Sequence, residues 1–476
     1  MEWQSRAGAR LRDDPYFTHI CSMHVSARKT KSAARRAATT ANTTKAARPS
    51  RAARATSVPP ASAARSPLAP GLVPMPGNFP VEQGGYEPDL VAAVSRVLGL
   101  LAIPGKSGEE SAIAAAVKQE LLAAGADPAA IHFDKTDQHS PHGGACGNLI
   151  FKLAGTHKSP RRMLVAHLDT VPICVGTRPA REGHIIRSAN PATGLGADNR
   201  AGVAVLLTAA VEILTRRLPH PPLTFLWTVQ EEVGLYGARF ADLKLLSQPK
   251  LAFNWDGGPP ARLTIGATGA YRLEITVTGL ASHAGVAPEA GVSAIAIASL
   301  AIADLTRNGW HGLVVKGRKR GTTNVGVIHG GEATNVVCDC VRIRAEARSH
   351  DPVFRERLVR EITRAFNNAA RELTSATGQR GRVAVESRLD YESFLLVEES
   401  PPVQAAAYAI AGLGLTPVGH VGNGGLDANW LSARGIPTVT LGCGQRQIHT
   451  TGETLDLEDF ETACRLALRL ATVSEE

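Results

Sequence analysis

Short apolar segments alternate with helical ones from residue 148 onward, and this alternation restricts the fold more than any other property of the chain. NLIFKLAG, RRMLVAHLD, LTFLWTV and KLAFNWD read as strands: each is short and apolar. Between them RAGVAVLLTAAVEILTRR has the length and apolar content of a buried helix. Strand–helix alternation of this kind predicts a largely parallel sheet with helices on its faces. In such sheets, sites gather at the carboxyl ends of the strands. Those are the positions at which this chain places its acids and histidines.

Upstream, Pro88 to Leu101 reads as a helix ended by Pro104-Gly105. Ser107 and Glu110 have capping-box spacing before AIAAAVKQELLAAGAD, which Gly125 closes. After Gly269 the pattern changes. YRLEITVTG alternates with period two, as a half-exposed antiparallel strand does. A helix (SAIAIASLAIADLTRN), two strands (TTNVGVIHGG and CVRIRAEARS), a second helix and the strand GRVAVESRLD follow. This β-α-β-β-α-β order is that of a ferredoxin-like module. From about Ser400 the helix–strand alternation returns. The expected organisation is α/β, with a first part at 76–268, an inserted α+β module at 269–388 and a second part at 389–476.

Residues 1–75 are set apart as a basic Ala/Arg/Ser/Thr-rich extension, too poor in aliphatics to fold alone. Residues 1–70 hold 13 Lys/Arg against 3 Asp/Glu, which leaves 39 against 40 for the remainder. The net charge of +9 therefore belongs to the extension, and the folded part is close to neutral. Its basic stretch 28–65 lacks interleaved aromatics and the fold itself carries no basic excess, so a nucleic-acid partner is not expected. Organellar transit peptide, disordered arm and over-extended start all stay open for this segment. No apolar run reaches the roughly 18 residues a membrane span needs. Seven cysteines, odd in number and scattered, argue against a disulfide framework and for a reducing compartment, here the cytoplasm. Cys338-x-Cys340 fits neighbours on one face of a strand better than a zinc knuckle.

The chemistry-bearing residues lie far apart. His167 and Asp169 close MLVAHLD, and Asp198 sits in GLGADNRAG. Glu231-Glu232 follow LTFLWTVQ, Asp256 ends LAFNWD, and His449 lies in GCGQRQIHTTGE with Glu453 nearby. Each has an ordinary alternative: a solvated strand end for His167 and Asp169, a helix N-cap for Asp198, an exposed turn for Glu231-Glu232, an Asp-Gly turn for Asp256, a surface histidine for His449. Their shared position relative to strands weighs against all being ordinary. Carboxylates mixed with imidazoles, without thiolates, suit a zinc, manganese or cobalt pair better than a structural zinc site.

The stretches LVAHLDTVP, GLGADNRAGVAVLL, TVQEEVGLYGA, NWDGG, TVTGLASHAG, GGEATNV, GNGGLDAN and HTTGE, in this order, resemble the metallopeptidase family of peptidase T (tripeptide aminopeptidase), carboxypeptidase G and the aminoacylases. They span about residues 85–476, and NWDGG, GADNRAG and SHAG point to the peptidase T branch. The resemblance implies a zinc-exopeptidase-like catalytic domain with a mostly parallel sheet, interrupted by a ferredoxin-like lid and dimerisation domain. It implies two divalent ions, zinc with manganese or cobalt as alternatives: His167, Asp198 and Asp256 around one, and Asp198, Glu232 and His449 around the other. Asp169 would orient His167, and Glu231 would be the general base. His283 resembles a histidine that reaches a neighbouring subunit's site and helps stabilise the oxyanion. Asn335 and Arg348 resemble lid residues that bind substrate polar groups and carboxylate, although Asn335 could equally cap a turn and Arg348 lie solvated on a strand. The implied activity is removal of N-terminal residues from short peptides by a homodimer. An N-acyl amino acid amidohydrolase or a carboxypeptidase is the alternative. One departure is Asn199, where the family frequently has an acid.

Overall fold

The computed structural model describes residues 71–75 and 85–472. Most of the expected extension, residues 1–70, lies outside them. The strands, in chain order, are β1 (Gly71–Pro74), β2 (Ile131–Phe133), β3 (Leu149–Leu153), β4 (Arg162–His167), β5 (Pro179–Glu182), β6 (Ile185–Ser188), β7 (Leu223–Thr228), β8 (Leu251–Trp255) and β9 (Arg262–Ala267). The inserted module contributes β10 (Gly269–Thr278), β11 (Gly312–Lys316), β12 (Lys319–Gly330), β13 (Cys340–Ser349) and β14 (Arg382–Tyr391). The remainder are β15 (Phe394–Leu395), β16 (Val418–Gly422), β17 (Thr438–Leu441), β18 (Gln445–Arg446) and β19 (Thr454–Asp456).

The main sheet runs β1-β16-β9-β17-β8-β4-β7-β3-β2, with β15 beside β9. Its centre is parallel: β17 pairs with β8, β8 with β4, and β4 with β7. Antiparallel pairs flank it at β3–β7 and β2–β3 on one side and at β17–β9 and β1–β16 on the other. Strands β4, β7 and β8 are buried at every position, as strands covered on both faces must be. The helix Ala197–Arg216 lies against them and is buried along most of its length. Its small residues allow a close approach. A Cβ on Gly202 would stand 2.3 Å from the Trp255 carbonyl oxygen, so only glycine fits there. Phe151, Phe225 and Trp227 stack in sequence across β3 and β7 and fill the same core.

The inserted module has its own core. Leu273, Ile275 and Val277 of β10 face the helices Ala294–Arg307 and Pro352–Glu372, while Arg272 and Glu274 point the other way. Its sheet order is β11-β12-β13-β10-β14, the ferredoxin-like arrangement with one extra edge strand. That strand, β11, had no counterpart in the expected β-α-β-β-α-β order, because GLVVK is too short to stand out from a loop.

Two crossovers join the module to the main sheet, at Thr268–Gly269 and at Glu392–Ser393. Both are held from the same side. The Asn429 side-chain amide donates to the Thr268 and Glu392 carbonyls at 2.8 and 2.6 Å. Arg355, from the module's second helix, pairs with Glu392 and donates to Ser393 Oγ at 3.4 Å.

Three local expectations fail. The helix Ser111–Ala123 has no capping box: Ser107 Oγ donates to Asp169 and the Glu110 carboxylate accepts from Gly108 and Gln230. Long-range partners outcompeted the local ones. Cys338 precedes β13, which begins at Cys340, so the two cysteines do not share a strand. Finally, Gly71–Pro74 pairs with Val418–Val421, so the stretch read as extension up to residue 75 gives its last residues to the sheet.

Candidate active site

The strand ends fix the site. His167 is the last residue of β4, and Leu168 still donates to the Thr228 carbonyl at 2.7 Å, which keeps the following turn in line with β7. Asp169 is fully buried. It accepts from Ser107 Oγ (2.6 Å), from Glu231 N (3.0 Å) and from Glu232 N (3.2 Å), and stands 3.4 Å from His167 Nδ1. Burial alone would disfavour its charge. The His167 ring, the Ser107 hydroxyl and the Glu231 N–H outweigh that, so the carboxyl is held below its ordinary range. One side chain thereby joins the ends of β4 and β7 and sets the position of both adjacent glutamates.

Asp198 opens the helix Ala197–Arg216 but is not helical itself, with φ −82° and ψ 101°. Its side chain caps nothing. One oxygen lies 3.1 Å from His167 Nε2, and the other 3.1 Å from His449 Nε2. His449 is also 3.0 Å from Glu232 Oε1, and Asp256 Oδ1 is 3.7 Å from His167 Nε2. His167, Asp198 and Glu232 offer donor atoms all within 4.8 Å of one another. Asp198 and Asp256 are almost wholly enclosed, whereas His449 is half exposed and marks the open side. The structure thus brings His167, Asp169, Asp198, Glu231, Glu232, Asp256 and His449 to one place from segments up to 282 positions apart in sequence.

Electrostatics favour added positive charge here. Burial pushes Glu231 well above the ordinary carboxylate range, with its acidic neighbours adding to the rise. Burial and Asp198 raise Asp256 in the same way. Glu232 is raised to about 7 by burial, only partly offset by His449. Crowded buried carboxylates that resist ionising together are what a divalent cation relieves. Imidazole and carboxylate donors at this spacing fit zinc, manganese or cobalt. The residues present therefore fit a metal pair.

Several residues at the site carried no separate signal in the sequence. Glu453 accepts three backbone N–H bonds from the Leu195–Asp198 turn. Asp427, buried beside Thr228, is raised to about 7 by burial. Arg200 is buried, and its guanidinium donates to the carbonyls of Leu168, Ile103 and Gly105. Asn199, the departure noted above, is fully buried. Its amide donates to the Trp255 carbonyl at 2.7 Å, while its oxygen accepts from Gly202 N and Gln445 Nε2. It braces the strand end that carries Asp256, a task that needs both a donor and an acceptor.

The three residues of the inserted module have partners of their own. His283 and Asn335 are exposed neighbours: His283 bridges to Val336, and Ala284 N donates to the Asn335 carbonyl at 2.9 Å. Arg348 is gripped by both oxygens of Glu346, at 3.0 and 2.9 Å, and reaches the Asn423 carbonyl at 3.4 Å.

Residues 265–374 match the peptidase dimerisation domain, and residues 148–287 match peptidase family M28. The uncharacterized protein YqjE of Bacillus subtilis is 32% identical over 375 residues, which cover 78% of this chain and 95% of YqjE. Among solved structures, aminopeptidase PepT from Bacillus cereus has 32% identity and a TM-score of 0.70, covering 81% of this chain and 98% of its own. A tripeptidase from Staphylococcus aureus has 30% identity and a TM-score of 0.73 over 81% of this chain and 99% of its own. Among the described residues, no helix is long and apolar enough to cross a membrane.

Proposed function

This chain belongs to the metallopeptidase family of peptidase T, and we propose that it is a metal-dependent aminopeptidase that hydrolyses short peptides. The observation that carries the reading is Asp198, whose two oxygens face separate imidazoles 3.1 Å away. A carboxylate so placed can bridge two cations. His167, Asp198 and Asp256 would hold one, and Asp198, Glu232 and His449 the other, with zinc as the metal and manganese or cobalt as alternatives. A cation pair held by these residues would supply Lewis-acid polarisation of the scissile carbonyl and a more acidic attacking water.

The protein's own groups do the rest. Glu231, enclosed beside the cluster, takes the proton of the attacking water and delivers it to the leaving amine. Its burial suits this role, because a raised pKa makes a carboxylate a stronger base. Asp169 orients the His167 ring and, through the N–H groups of Glu231 and Glu232, keeps base and ligand in register.

Residues 269–388 form the lid and dimerisation domain in this reading, between catalytic parts at 76–268 and 389–476. The match to the peptidase dimerisation domain supports a homodimer. His283, exposed on the module, would serve the neighbouring subunit's site. Asn335 would bind polar groups of the substrate, and Arg348 its carboxylate, through paired hydrogen bonds. Among the described residues Cys146, Cys174, Cys338, Cys443 and Cys464 are free thiols, in keeping with a cytoplasmic setting.

The test compares a free-amine tripeptide with its N-acetylated form on the metal-reconstituted enzyme. Release of the N-terminal residue from the free form is expected. Preference for the blocked form would replace this reading with acyl amino acid hydrolysis.

A further inference from the structure

The Leu195–Asp198 turn enters the helix Ala197–Arg216 with its first N–H groups turned into the protein interior. Three of them end on one side chain. Leu195 N and Gly196 N donate to Glu453 Oε2 at 2.9 and 2.7 Å, and Asp198 N donates to Glu453 Oε1 at 2.9 Å. Glu453 is 2% exposed, and the Cys174 thiol approaches the same Oε2 at 3.5 Å. A carboxylate that accepts several backbone N–H bonds is held in one orientation and holds the donors in return. Glycine makes room for it. A Cβ on Gly194 would stand 3.1 Å from Glu453 Oε2 and 3.0 Å from the Thr450 carbonyl, and Gly196 has a φ of +81°.

The loop that carries Glu453 also carries His449. It therefore meets Asp198 twice, at the backbone through Glu453 and at the carboxylate through His449 Nε2, 3.1 Å from Oδ2. We propose that Glu453 is a positioning residue that fixes the Leu195–Asp198 turn so that Asp198 and His449 are preassembled for divalent-cation binding. The inference rests on the reading of Asp198 as a metal ligand. Ligand-orienting groups outside the coordination sphere commonly govern 10–100-fold in metal affinity.

Glu453→Gln tests it, because the side chain keeps its size but sets an amide N–H against at least one backbone N–H. Zinc affinity is measured on the full-length metal-free protein by competition with a chelating dye, beside Asp198→Asn. The expected result is about a 10–100-fold weaker zinc affinity for Glu453→Gln, with the melting temperature of the metal-free protein little changed. Wild-type affinity in Glu453→Gln, with loss of binding in Asp198→Asn, overturns this inference alone. Undiminished binding in Asp198→Asn overturns the underlying reading of the site instead. If Glu453→Gln does not fold, hydrogen exchange on the wild-type metal-free protein decides. Protected amides at Leu195, Gly196 and Asp198 support the clamp, and exchange as fast as in exposed loops overturns it.

Discussion

Replacing Glu110 by glutamine should change how folding stability depends on pH. Glu110 is buried under the β7 turn, where one oxygen accepts from Gly108 N at 2.7 Å and from Gln230 N at 3.1 Å. The other oxygen is buried with no partner. Burial, with the nearby Asp169 charge, raises this carboxyl from 4.5 to about 7, despite the two N–H bonds. Between these values the folded chain binds a proton that the unfolded chain has released, so stability falls as pH rises. Across the interval the loss is on the order of 3 kcal/mol, constant above it and absent below 4.5. Glutamine keeps an oxygen for the two N–H groups and carries no charge. The melting temperature of Glu110→Gln relative to wild type should therefore be near zero difference at pH 4 and clearly positive at pH 8. Equal differences at both pH values, measured on metal-free protein, would refute the reasoning.

Two further outcomes follow from the geometry. Glu231→Gln should lower kcat about 10²–10⁴-fold while zinc content, measured by elemental analysis, stays at the wild-type level; full activity would remove Glu231 as the base. Gly202→Ala should lower the melting temperature, because its Cβ would meet the Trp255 carbonyl at 2.3 Å and Asn199 Oδ1 at 2.4 Å. Overpacking of this kind costs about 1–3 kcal/mol, and an unchanged melting temperature would mean that the helix can back away from β8.

The site acids could be read from the sequence because each terminates an apolar run. His167 ends β4, Asp256 follows β8 directly and Glu231-Glu232 lie just beyond β7, and a strand's end is written in the same residues that make it a strand. The inserted module could be read for a similar reason: the period-two alternation of YRLEITVTG follows from burial of one face. Groups whose partners are remote in sequence could not be read this way. Ser107 and Glu110 carry the spacing of a local cap, yet they serve Asp169 and Gln230, more than sixty residues away. Nothing in GADNRAG distinguishes Asn199 as a ligand-site residue from Asn199 as a brace for Trp255.

The sequence by itself determined the longer strands and helices, their order and the chemical types gathered near the strand ends, because periodicity and polarity are properties of local segments. Only the tertiary structure decided which carboxylates share an imidazole and which side chain clamps the Asp198 turn. Those contacts join segments up to 258 residues apart. They depend on strand register and helix approach, which no local pattern encodes.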